Sequence, residues 1–481
     1  MNIRGLIVDL TYGYREWQRT REFFFKMTAI DAFRIMEVEL NFLYDMLYTK
    51  MVVVHSKYGF IFRFVCLLLI VLALERFVSH HKQHQNIADI DIYITYTLLI
   101  GGIGLDILGI IKLILSDWTI ATLSDVWTYA VLKKCKDKLV PCLYALRMNL
   151  SFDRNYRWSR SISQYSLITY CLKERFKCIT NLVKFFGATD LLDEIQFKKT
   201  VHVKNNQPDD NNLKTFIFKE LREKALEAKN AKDAKEICSW RGEGVLLKAS
   251  RFYPSLAESV KVEYDESVLR WHVATELCYY KDDDDAEKNK NKERQFCKIL
   301  SQYMLYLLVM RPTMMSEVTG ILQIRFQDTR EEAKKFLLSK EEQPKNYLQK
   351  IMNFFGRGTQ PHLKEACKKL LEVDTVIEPY KVKAGTSKSV LFDGCMMAND
   401  LQKMGETERW TIMSKVWVEL LSYAASHCKA HAHAQQLSKG GEFVTFVWLL
   451  MFRLGMGEQF RVDPESRYKL IVGKDWLEDS K

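Results

Sequence analysis

The stretch Ile92–Leu115, IYITYTLLIGGIGLDILGIIKLIL, decides how the rest of this chain is read. No charge interrupts it from Ile92 to Leu105; Asp106 follows, then Ile107–Ile111, and Lys112 closes the run. A helix needs roughly 20 mostly apolar residues to cross a bilayer, and this one has them. A carboxylate near the centre of such a helix costs about 2.5–3.5 kcal/mol, and less towards an end. The apolar remainder is long enough to carry Asp106. A second apolar stretch, Tyr58–Val78, precedes it as YGFIFRFVCLLLIVLALERFV. Here the uncharged run is shorter, Phe64 to Leu74, with Arg63 before it and Glu75 and Arg76 after it. Such flanking side chains reach headgroups by snorkelling. The plainer alternative is a buried core helix. The two stretches together predict a transmembrane hairpin over 58–115, with spans at about 58–78 and 92–112.

Orientation follows the lysines and arginines close to the spans. Only Arg76 and Lys82 lie between them, in a short loop with His80, His81 and His84. Lys50, Lys57 and Arg63 precede the first span, and Lys112, Lys133, Lys134, Lys136, Lys138, Arg147, Arg154, Arg157 and Arg160 follow the second. Both termini are therefore expected in the cytosol, as an integral, multi-pass membrane protein. Met1–Thr20 is charged and lacks the apolar core of a signal peptide. The cluster at Lys133, Lys134, Lys136 and Lys138 suits anionic headgroups, at about 1 kcal/mol per basic residue near the surface. The net charge of +11 raises nucleic acid as a rival partner, but no basic stripe interleaved with aromatics is present, so none is expected.

Beyond the hairpin the pattern is helical. Eight prolines in 481 residues leave long helices uninterrupted. Eleven scattered cysteines without a C-x-x-C pair read as reduced, buried thiols. The expected organisation is an N-terminal segment over 1–57 with an amphipathic helix at 31–54 capped by Asp31, the hairpin, a cytosolic helical region over 116–390, a C-terminal helical domain over 391–465 and a tail over 466–481. Asp282–Asp285 reads as a solvated acidic loop. Gly440-Gly441 reads as a turn between two helices that span Glu408–Leu454.

Three constellations invite chemistry. His427, Cys428, His431 and His433 form the candidate metal set, because His427 and His431 stand one turn apart on a continuous helix. Against it, Trp410, Met413, Trp417, Leu420 and Ala424 make an apolar stripe running into the same positions, which predicts burial instead. His272 and Glu276 share a helix face and could move a proton; with apolar neighbours and no nucleophile beside them, a buried hydrogen-bonded pair is the simpler reading. Asp106 is an intramembrane polar residue of the kind that marks ion paths or helix packing. No catalytic residue and no cofactor-binding residue is assigned, and no cofactor is expected.

Several segments together resemble a family of plant membrane proteins of unknown function. They are Asp31–Leu40, Tyr44–Lys50, Ser116–Thr119, Arg157–Ser161, Trp271–Cys278, Tyr306–Pro312 and, most specifically, Val416–Cys428 continuing to Gly441-Glu442. In that family the domain of unknown function 4220 precedes the domain of unknown function 594. The resemblance implies a multi-span protein with a C-terminal helical domain and further upstream membrane helices, so the chain looks like a shortened member. It implies no reaction, and His431 departs from its pattern. The reading is therefore an all-α integral membrane protein with a two-helix anchor and a large cytosolic helical domain. Its expected role is a non-enzymatic scaffold binding protein partners at a membrane. The alternatives are a transporter or channel component using Asp106 and, more weakly, a metal-dependent enzyme.

Overall fold

Three helices of this chain begin where a short polar side chain takes up a free backbone N–H. Asn212 accepts from the Lys214 N–H at 3.1 Å, Asn291 from Arg294 at 3.3 Å and Ser389 from Phe392 at 3.4 Å. A computed structural model describes residues 14–54, 56–83, 89–114, 116, 118–119, 161–172, 199–202, 212–228, 231–249, 254–282, 291–338, 359–373 and 389–456. The chain divides into two units, 1–36 with 159–481 and 37–158.

In order, the helices are α1 (Tyr14–Phe25), α2 (Ala29–Tyr48), α3 (Met51–Val54), α4 (Lys57–Gln83) and α5 (Asp89–Ile114). A strand β1 (Ser161–Gln164), α6 (Leu167–Leu172) and a strand β2 (Lys199–His202) follow. Next come α7 (Leu213–Glu227), α8 (Ala231–Ser239), α9 (Glu243–Ala249), α10 (Pro254–Glu258), α11 (Tyr264–Lys281), α12 (Lys292–Met310) and α13 (Pro312–Met315). The last are α14 (Leu322–Leu338), α15 (Thr359–Leu371), α16 (Val390–Gln402), α17 (Glu406–His427), α18 (Ala430–Leu437) and α19 (Phe443–Arg453). The described chain is predominantly helical, as its sequence predicts. Its strands form one antiparallel ribbon, with Ser161 opposite His202 and Gln164 opposite Lys199.

Three details depart from the sequence reading. The helix expected over 31–54 begins at Ala29 and breaks at Thr49-Lys50. Its cap is Thr28, whose hydroxyl oxygen accepts the Asp31 N–H at 3.2 Å and whose proton goes to the Asp31 carboxylate at 2.7 Å. Asp31 thus sits in the first turn, hydrogen-bonded to the cap instead of serving as it. At the break, the Thr49 oxygen accepts the Met51 N–H and starts α3. The pair expected over Glu408–Leu454 is three helices, because Cys428 is extended (φ −72°, ψ 128°) and ends α17. Gly440 and Gly441 do form the turn before α19, with φ of 97° and 73°, where only glycine is unstrained.

Within the unit 37–158, α4 and α5 pack as an antiparallel hairpin, with Phe77 edge-on to Tyr96 at 5.3 Å. Ile90–Ile114 is long and apolar enough to cross a membrane, with a mean hydropathy of 2.0, and only 6% of that window is buried. Among the described residues no other helix meets that standard; α4 carries Arg63, Glu75 and Arg76.

The other unit is a helical core. α11 lies against α12, α15 and α16, α12 against α17, and α17 against α9 and α19. Helices on both sides of residue 390 therefore share one interior. Trp271, Trp410 and Trp417 are fully buried in it, and the Trp417 indole N–H donates to the Thr275 hydroxyl at 3.0 Å. Arg311 caps α12 and Pro312 opens α13, the position where a missing N–H costs nothing.

Candidate functional site

Asp106 lies on the inner face of the hairpin. On α4 the half-buried positions are Arg63, Cys66, Leu67, Ile70, Leu74, Phe77 and Val78. On α5 the covered positions include Ile92, Tyr96, Leu99, Ile103, Asp106, Ile110 and Leu113. Both sets recur every three or four residues, the period of a two-helix seam. The Arg63 guanidinium rests on Gly109, where a methyl group would lie 1.9 Å from its Nη2. Gly109 is one turn from Asp106, and the absence of a side chain there makes room for the arginine. The outer faces are apolar: Ile61, Phe62, Phe64, Leu68, Leu69, Ile94, Leu98, Leu105 and Leu108 are all exposed. Arg63 and Asp106 are half-buried on a seam that is otherwise mainly apolar, and Glu75, Arg76 and Lys112 are exposed.

The histidine cluster does not assemble. His427 ends α17 and stacks on Tyr423 with ring centroids 3.9 Å apart, while His431 is exposed on α18. The extended residue Cys428 removes the helical spacing that would have joined them. The Cys428 thiol is pushed up to about 12 by burial, so it is a protonated thiol at neutral pH. His433 is buried separately, stacked on Trp448 at 4.5 Å. Its Nε2–H donates to the Ala425 carbonyl at 3.4 Å and its Nδ1 accepts from Thr445 at 3.1 Å. Burial in that neutral form holds its pKa down at about 3. Among the described residues no three His, Cys, Asp or Glu side chains converge as a metal site would require.

His272 and Glu276 are buried together, yet 3.9 Å separates the His272 Nε2 from the Glu276 carboxylate. The nitrogen instead accepts the Leu167 N–H at 3.2 Å, which leaves the proton on Nδ1 to be given to Ser301 Oγ at 2.8 Å. Desolvation lowers the His272 pKa and keeps the ring neutral. Glu276 accepts from Ser166 at 2.8 Å and from Gln302 at 2.9 Å. Ser166 and Leu167 open α6, and the Tyr165 N–H between the strand and that helix donates to the Gln302 carbonyl at 3.0 Å. The pair is therefore a clasp that fixes the segment 161–172 on α11 and α12. Both side chains are buried, and both ring nitrogens of His272 and both carboxylate oxygens of Glu276 already have partners.

Other buried charges follow the same logic. Glu419 on α17 takes the Lys224 ammonium and the Gly244 N–H. Glu442 at the start of α19 accepts from Tyr306 at 3.0 Å and Arg311 at 3.1 Å. Asp282, expected in a solvated acidic loop, is docked on Arg409 and the Trp410 indole, whereas Asp283–Asp285 lie outside the described residues. Lys133, Lys134, Lys136 and Lys138, His84 and the tail 466–481 also lie outside them.

Among the described residues a cleft of about 460 Å³ opens beside α14. Ile321 lines it from just before α14, Ile324, Asp328, Glu331 and Lys335 from α14, Glu266 from α11 and Val390 from α16. Nothing in the sequence marked it.

Residues 1–171 match the family described as Domain of unknown function (DUF4220), and residues 402–456 match Protein of unknown function, DUF594. No curated protein and no solved structure matches the chain. The two matched segments stand in the order that the sequence motifs imply, and both families are of unknown function.

Proposed function

We propose that the chain is a membrane-anchored interaction protein: the α4–α5 hairpin sits in the bilayer as two spans, both termini face the cytosol, and the helical core binds protein partners there. The observation that carries this reading is the hairpin's exposed apolar surface: Ile90–Ile114 is apolar yet only 6% buried, and the outer faces of both helices carry leucine, isoleucine and phenylalanine, with Arg63 and Asp106 half-buried on the seam. An isolated pair of helices in water would expose the charges and bury the leucines. Exposed apolar surface on this scale marks a lipid or protein partner. Lipid suits it because the band girdles both helices over about the length a bilayer core demands. The position of Asp106 on the seam favours helix packing over ion conduction. The role of the core as a binding module is supported by its chemistry: its buried polar groups are engaged in holding helices together.

The test is fractionation of the full-length chain after alkaline carbonate extraction. It should remain in the membrane pellet, and cysteines introduced in the N-terminal segment and after residue 456 should react with an impermeant reagent only from the cytosolic side. Recovery in the soluble fraction would remove the anchor; labelling of the termini from opposite sides would remove the hairpin.

A further inference from the structure

Among the described residues no element covers the face of α14 that borders the cleft. Ile321, whose carbonyl accepts the Arg325 N–H at 3.1 Å just ahead of the helix, and Ile324, Asp328, Glu331 and Lys335 on it follow one another at intervals of three and four residues, so they form a single stripe. Its first part is apolar. Ile321 and Ile324 are 57% and 60% exposed, an unusual degree for two isoleucines one turn apart in the lining of one cleft. Its second part is acidic. Glu266 and Glu332 also line the cleft but are already engaged, Glu266 by Arg270 and Arg325 and Glu332 by the Ser389 hydroxyl at 2.6 Å. No hydrogen bond or ion pair holds Asp328 or Glu331 among the described residues. Arg325, the cation nearest the floor, is committed to the buried Asp265 and to Glu263. Lys335 alone offsets the two free carboxylates. The cleft thus presents apolar surface at one end and uncompensated negative charge at the other, on a chain whose net charge is +11.

We propose that this cleft receives an amphipathic helix of a partner protein that bears lysine or arginine. Such a helix would lay two apolar side chains, three or four residues apart, over Ile321 and Ile324, and set basic side chains one to two turns further along against Asp328 and Glu331. Charge complementarity selects this occupant. The predominantly basic chain repels a cationic segment over most of its surface, so the acidic stripe is where such a segment docks. The volume, within the range of about 300–1,000 Å³ typical of binding clefts, accommodates side chains of one helix face rather than a whole domain. The inference rests on the reading of the helical core as a partner-binding module and names the chemistry of the partner.

The probe is a labelled 18-residue peptide of leucine and lysine in helical register, with a leucine–glutamate peptide of the same pattern as its counterpart. The full-length chain is held in zwitterionic nanodiscs, and anisotropy is read against empty discs. The lysine peptide should bind, and the glutamate peptide should bind at least tenfold more weakly. Asp328→Lys with Glu331→Lys should reverse that order, a result that a misfolded variant could not give; Ile324→Ser should weaken both. No binding by the lysine peptide, or an order unchanged by the charge reversal, overturns the proposal. Proximity labelling separates this failure from a failure of the broader reading. A partner set that survives the charge reversal keeps the interaction role and removes this cleft, whereas a set no richer than that of the bare hairpin removes the role itself. A concentration-dependent dimer abolished by the same reversal would replace the foreign helix with a second copy of the chain.

Discussion

The hairpin of α4 and α5 and the core around α11, α12 and α17 differ in what they leave exposed. In the hairpin the helical seam takes Arg63 and Asp106, and leucine, isoleucine and phenylalanine face outward. In the core, Trp271, Trp410 and Trp417 are inside, and charges that enter it are paired: Lys224 with Glu419, Arg311 with Glu442, Arg325 with Asp265. Burial in a protein is defined by the solvent it excludes. If water is the solvent of one region and hydrocarbon that of the other, a single rule produces both arrangements. The contrast predicts that equal substitutions at equally exposed positions have unequal effects, and that is where it can be broken.

The largest effect is expected inside the core. Trp417→Ala removes a fully buried indole and the donor of the Thr275 hydroxyl, and should cost about 3–5 kcal/mol in chemical denaturation of the detergent-solubilised chain. If that variant does not fold, Trp417→Phe keeps most of the ring and should cost less than half as much. A change below about 0.5 kcal/mol for either would mean that this interior is not tightly packed. The sharper comparison sets two exposed leucines side by side. Leu98 on α5 is 70% exposed and Leu226 on α7 is 61% exposed. Leu226→Arg should leave stability within about 0.5 kcal/mol, as surface changes do. Leu98→Arg should reduce insertion into microsomes by an amount corresponding to about 2.5–3.5 kcal/mol. Equal, small effects at both positions would show that water, and not lipid, bathes the hairpin.

What the sequence made legible was local. The stripe Trp410, Met413, Trp417, Leu420 and Ala424 is buried at every position, because its helical period alone defines the inner face. Arg311-Pro312 and Gly440-Gly441 break the chain where their backbone chemistry requires it. The break at Cys428-Lys429 had no such sign. No glycine or proline stands there, and the turn lets His433 leave the line of α17 and stack on Trp448, a contact with a residue fifteen positions on. The ribbon of β1 and β2 was equally hidden, since its two four-residue strands pair across more than thirty residues and neither has an alternating pattern long enough to read. The α14 cleft was missed for a related reason. An apolar residue in a helix announces that a face wants covering, and only the packing of α11 and α16 shows that Ile321 and Ile324 were left uncovered.

His433 supplies the mildest way to sharpen the comparison, because its effect can be dialled by pH without any substitution. The ring is neutral in the fold, with its pKa held near 3, whereas the unfolded chain returns it to about 6.5. A group whose folded pKa is depressed contributes stability that is complete above the unfolded value and is lost as pH falls towards the folded one. The loss from this residue should therefore begin near pH 6.5 and approach about 1.4 kcal/mol per pH unit below it, or roughly 2 kcal/mol at pH 5. His272, lowered by the same desolvation, should act in the same direction. His433→Gln, which retains a polar side chain opposite Thr445, should be less stable at pH 8 but show a shallower decline between pH 6.5 and 4.5. Tryptophan fluorescence of the solubilised chain reads the difference, since Trp448 lies against the ring. A decline of identical slope in the two proteins would mean that the imidazole is already wet, and that the core near α18 is less like a sealed interior than its contrast with the hairpin requires.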